Sequence, residues 1–210
     1  MSDLPSPPLL AAMVAFNKPY HAPNLNFLKD FEEGRASELA TFIQTALERS
    51  PRLRSFFPGQ QTGHWDFSRA PWRLALLNDQ EFERLALLAG LALWSHKIAQ
   101  IIEGHQARAL KAILGEELWA YALGRGRLQM VGLQDLATGE TPKSLAAFQE
   151  TGLLAINLAW SPLPATLAKL VTHRQRPTRP APSHLALKIF QRLKVILLKE
   201  VCPSWSACLS

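Results

Sequence analysis

Ten consecutive apolar residues, Leu85-Ala-Leu-Leu-Ala-Gly-Leu-Ala-Leu-Trp94, constrain this chain more than any other stretch. If helical, the run offers no face to water, so it must be covered on all sides by other parts of the protein. It is too short for a bilayer, which takes roughly 20 apolar residues, and Glu81, Glu83, Arg84, His96 and Lys97 flank it. The expectation is a buried central helix. Asn78 is placed to cap it and Glu81 to complete a capping box. Apolar positions continue through Ile98, Ile101 and Ile102, with Gly104 as the stop. From Gln106, Leu110, Ile113, Leu114, Leu118 and Trp119 recur at helical spacing up to Gly124. Residues 80–123 therefore predict an antiparallel helical hairpin, with Trp94 buried in it.

Further helices are expected around that hairpin at 37–49, 142–160 and 183–201. The second of these starts from a Thr141 cap with Pro142 in its first turn, and the third from a Ser183 cap. A shorter helix is expected from Ala165 to Val171. Leu128 to Leu133 is the one place with room for a short extended piece. The predicted fold class is all-α, with at most one minor strand pair. The predicted organisation is a disordered tail at 1–8 and a single domain at 9–210. Within that domain Arg174 to Pro182, with three prolines and three arginines, reads as an exposed basic connector. Residues 183–201 read as an amphipathic helix. The aromatic cluster Phe56, Phe57, Trp65, Phe67 and Trp72 reads as packing on the body, with a partner surface as the alternative.

Charge is unevenly spread. The 210 residues carry a net +6, and from Lys169 onward eight Lys and Arg face Glu200 alone, a net +7 that leaves −1 on the preceding 168. A basic end on a near-neutral body suits an acidic partner, whether protein, lipid headgroup or nucleic acid. The candidate protein-binding residues are Arg174, Arg176 and Arg179 in the connector, and Lys188 and Arg192 one turn apart on the last helix.

Signals for catalysis and cofactors are weak. Gly124-Arg-Gly126 lacks the rest of a phosphate loop, and the six histidines are scattered without metal-ligand spacing. Glu32-Glu33 and Glu116-Glu117 are sequence neighbours, which diverge on a helix. Cys202 and Cys208 read as reduced thiols. The expectation is a cytosolic protein with no catalytic, metal or cofactor residues. Its N-terminus, with an acid and three prolines in eight residues, does not read as a secretory signal.

Four segments carry a family resemblance: Phe16-Asn-Lys-Pro-Tyr-His21, Leu85 to Leu91, Leu110 to Leu114 with Glu116-Glu-Leu-Trp119, and Leu193 to Pro203. Together they resemble the SctK/YscK family of accessory proteins in bacterial type III secretion systems. The resemblance implies a non-enzymatic adaptor of the sorting platform at the cytoplasmic face of the inner membrane. Such an adaptor links the forkhead-associated-like cytoplasmic domain of the ring protein SctD to the pod protein SctQ. It supplies no binding residues, and Gly63 to Trp72 and Arg174 to Pro182 match no family pattern. A nucleic-acid-binding helical protein using the basic C-terminal part is the alternative reading, followed by an enzyme without a recognisable motif.

Overall fold

The computed structural model describes residues 7–21, 66–101, 104–174 and 181–209. In chain order its α-helices are α1 (Pro7–His21), α2 (Asp79–Ala99), α3 (Gly104–Leu123), α4 (Gly126–Gln129), α5 (Leu145–Trp160), α6 (Ala165–Leu170) and α7 (Ser183–Ile196). Short 3-10 turns lie at Ala70–Leu76, Gln134–Leu136, Thr172–Arg174 and Pro203–Cys208. The fold class is all-α, and no strand occurs among the described residues. Leu128 to Leu133, expected to be partly extended, instead forms the end of α4 and a turn through Gly132, whose φ of 76° needs glycine. The expected helix at 37–49 and the aromatic residues Phe56, Phe57 and Trp65 lie outside the described residues.

The chain groups into two compact units. The smaller holds residues 1–67 and 164–170. In it α1 starts at Pro7, inside the expected tail, because proline fits the first turn, where its missing N–H has no intrahelical partner anyway. Leu9 and Met13 are buried on one side of α1, Leu167 and Leu170 are buried on α6, and Phe16 meets Phe67 edge to face at 5.8 Å.

The larger unit, residues 68–163 and 171–210, is built around α2. The capping box is formed: Glu81 N donates to Asn78 Oδ1 at 2.8 Å, and Asn78 N donates to Glu81 Oε2 at 3.2 Å. Every residue of the apolar run except Leu87 is buried, at about 1.5–3 kcal/mol for each large side chain removed from water. Trp94 is 3% exposed; its Nε1 donates to Thr151 Oγ1 at 3.0 Å, and the Lys97 ammonium sits 4.5 Å from the ring centre.

The principal partner of α2 is α5, which runs antiparallel to it from Phe82 against Trp160 to Gly90 against Phe148. A Cβ on Gly90 would stand 1.8 Å from Phe148 O, and one on Gly152 would stand 1.7 Å from Ala86 O. Two glycines thus let the backbones touch. The expected partner, α3, is not one rod: Gly115, with φ 74° and ψ 171°, breaks it in a conformation open only to glycine. Nor is Gly104 the stop of α2; it opens α3, and α2 ends at Ala99.

Three other boundaries differ from the sequence reading. Ser144, not Thr141, caps α5 by accepting from Ala147 N at 3.2 Å. Pro182 rather than Ser183 occupies the cap position of α7, with no side-chain capping bond. Beyond Ile196 the chain continues as a π-helical turn, Leu197–Val201, closed by Cys202 N donating to Leu197 O at 2.8 Å.

Trp160 is 1% exposed and stacks on Phe82 at 5.7 Å, yet its Nε1 has no hydrogen-bond partner among the described residues. Trp160→Phe removes that unsatisfied donor along with some volume, so its cost is expected near 1 kcal/mol. Trp160→Ala is expected to cost about 3–5 kcal/mol. Urea denaturation of both variants checks the contrast, and a Phe variant as unstable as the Ala variant would show that the indole N–H is satisfied.

Candidate interaction surface

The basic residues separate into three groups. Arg174 is buried rather than exposed, contrary to the connector reading. Its Nη1 donates to Ala75 O and Leu77 O, both at 3.0 Å, and its Nη2 pairs with the Asp79 carboxylate. The guanidinium lies 4.6 Å from the centre of the Phe82 ring, and Asn157 Nδ2 donates to Arg174 O at 3.2 Å. The reason is local. The 3-10 turn Ala70–Leu76 ends with carbonyls that have no helical partner, and a planar guanidinium can serve two of them at once while covering an aromatic face. Arg174 is therefore a clamp between this turn and the start of α2. Arg176 and Arg179 lie outside the described residues.

Lys188 and Arg192 form the second group, one turn apart on α7 as expected. Lys188 is exposed and donates from Nζ to Gly132 O at 3.0 Å; Arg192 is half-buried. Between them and the core, α7 buries Ala186, Ile189, Phe190, Leu193 and Ile196. Lys194 belongs with the cations that hold turns and loops, donating to Leu209 O after the 3-10 turn Pro203–Cys208 at 2.7 Å. Lys97 does the same for the loop before α5, donating to Ala137 O at 2.9 Å and Gly139 O at 2.8 Å.

The third group surrounds Glu200, which the sequence reading counted only as the lone acid of the basic end. Its side chain is 8% exposed. Gln129 Nε2 donates to Glu200 Oε1 at 3.1 Å, and Arg125 Nη1 stands 3.2 Å from Oε2. Gln129 Oε1 accepts from the Tyr121 hydroxyl, which also lies 3.2 Å from Leu88 O. The connected groups join α2, α3, α4 and the π-helical turn. Periodicity on an ideal α-helix could not show this, because the π turn shifts Glu200 away from its α-helical azimuth.

Burial, and then the neighbouring Glu200, push the Tyr121 hydroxyl well above its ordinary range, so it remains a donor. A raised pKa gives stability that is full below the unfolded value, about 10, and is lost as pH rises above it. The difference in stability between the parent and Tyr121→Phe is therefore expected to shrink above about pH 10, by roughly 1.4 kcal/mol per pH unit. Urea midpoints measured across that range check it; a constant difference would mean that Tyr121 ionises as readily in the folded protein as in the unfolded chain. Cys202 and Cys208 are both free thiols, and burial raises the pKa of Cys208.

Around the Lys188 contact the surface is apolar as well as basic. Leu128 is 73% exposed, Val131 46% and Leu187 52%. Among the described residues no helix is long and apolar enough to cross a membrane, and no cluster of three metal-type ligands occurs. Comparison with protein-family models, curated proteins and solved structures gave no match.

Proposed function

We propose that the chain is a non-enzymatic adaptor of a bacterial type III secretion sorting platform, joining the cytoplasmic domain of the ring protein SctD to the pod protein SctQ. The observation that carries this reading is the order of the four resembling segments, which run from Phe16 to Pro203. Charge segregation agrees with it, since a +7 end on a −1 body steers toward acidic protein surfaces. In this reading the protein works at the cytoplasmic face of the inner membrane, held there by its partners, and needs neither cofactor nor metal.

The test is co-purification of the full chain with the SctD cytoplasmic domain and with SctQ, followed by size-exclusion chromatography. Retention of both partners in one complex is the expected result. If neither is retained at low salt, the adaptor reading fails. Tight retention on duplex DNA that collapses with added salt would instead favour the nucleic-acid reading raised by the basic end.

A further inference from the structure

The geometry points to a docking surface, where α7 meets the loop after α4, for an acidic segment of a protein partner that carries aliphatic side chains. The inference rests on the adaptor reading only for which proteins supply that segment. The Lys188 hydrogen bond to Gly132 O pins α7 against the loop, so Leu187 on one strand of chain and Val131 on the other each lie one residue from that bond. Leu128, on the preceding α4 turn, is the most exposed large aliphatic residue among those described. Arg127 beside it is exposed, and Arg192 follows Lys188 by one turn.

The charge of this surface is one-sided. Residues 125–133 and α7 contain Arg125, Arg127, Lys188, Arg192 and Lys194 and no Asp or Glu. Arg125 is turned to Glu200 and Lys194 to Leu209 O, which leaves Arg127, Lys188 and Arg192 as the remaining cations of these two segments, Arg127 beside Leu128 and Lys188 beside Leu187 in the chain. Among the described residues, Glu200 of the π turn has its side chain only 8% exposed, and Asp135 lies further along the loop. Aliphatic side chains exposed inside a cationic rim match a segment that alternates carboxylates with Leu, Ile or Val. A lipid surface fits less well, because an interfacial helix must present its apolar face, and that face of α7 is already in the core. A nucleic acid meets aliphatic side chains only at thymine methyl groups and base faces, a poor match for three of them exposed together.

The experiment uses the full chain and two variants. One is Leu128→Ser, Val131→Ser, Leu187→Ser; the other is Arg127→Glu, Arg192→Glu. Leu128, Val131, Leu187 and Arg127 are exposed, where substitutions usually leave the fold intact, and Arg192 is half-buried, so circular dichroism verifies the fold of each variant. Short random peptides displayed on phage are selected on the parent chain. Selected peptides are expected to be acidic with recurrent aliphatic residues, and to bind each variant at least about tenfold more weakly. Peptides without acidic excess, or binding both variants as well as the parent, overturn the proposal. So does binding of anionic phosphatidylglycerol vesicles or self-association that the same variants abolish while peptide binding is absent.

A parallel arm uses SctD and SctQ as probes and separates the two claims. If these partners bind parent and variants alike, the docking surface is wrong while the adaptor stands. If peptides depend on the surface and neither secretion protein binds, the surface stands and the adaptor reading falls.

Discussion

Replacing Gly152 by alanine is expected to lower stability by about 3 kcal/mol or more, at or beyond the top of the usual range for overpacking. The added carbon would stand 1.7 Å from Ala86 O, and the obstacle is backbone, which cannot swing aside as a side-chain tip can. Relief requires α2 and α5 to separate along their contact, which loosens Phe148, Ile156 and the Phe82–Trp160 stack together. Gly90→Ala, aimed at Phe148 O from 1.8 Å, is expected to cost a similar amount. Gly104→Ala provides the control, since nothing lies within 4 Å of its added carbon. Its effect should stay within about 0.5 kcal/mol or favour the fold, alanine being the better helix former. Equal costs for Gly104→Ala and Gly152→Ala in urea denaturation would mean the helices are not in backbone contact.

Arg174→Ala is expected to cost about 3 kcal/mol, a fall in Tm on the order of 10 °C for a chain of this size. Most of that loss comes from two carbonyls, Ala75 O and Leu77 O, left in a buried place without their donor. Little of it comes from the ion pair, because Asp79 is 79% exposed and water screens it. Asp79→Asn should therefore cost under about 1 kcal/mol. Lysine at 174 should recover only part of the loss, having no planar fork to reach both carbonyls. A surface arginine would give less than about 0.5 kcal/mol on truncation, so thermal unfolding of Arg174→Ala separates the clamp from the exposed connector directly.

These two sites show where the sequence was informative and where it was not. The unbroken apolar run left one physical solution, and α2 is buried as that solution requires. Asn78 and Glu81 were legible because a capping box is a contact between residues three apart. Gly90 was visible only as one more apolar letter, since its meaning depends on Phe148 and Gly152, more than fifty residues away. The same distance hid Arg174: next to a proline-rich stretch it looked solvated, and its partners at 75, 77, 79 and 82 carry no mark in the local pattern. Thr141-Pro142 was a sound start signal, and Ser144 won by accepting the Ala147 amide one turn later. Of the candidate contact residues, Lys188 and Arg192 stand one turn apart on α7 as helical spacing implies, Lys188 exposed but Arg192 half-buried. The aliphatic neighbours were not legible, because Leu128 and Val131 looked like strand and Leu187 like one position in an amphipathic helix.

The embrace of α2 by α5 also sets a timetable for synthesis. A ribosome delivers residues 79–99 long before 145–160, and until Trp160 has left the exit tunnel the glycine face of α2 has nothing to close against. The nascent chain must carry its most apolar segment uncovered through the making of some sixty further residues, the interval in which hydrophobic surface attracts chaperones or other chains. A chain released before Trp160 is complete is expected to be captured by chaperones or aggregate, so nascent-chain protease resistance should appear only once α5 has emerged.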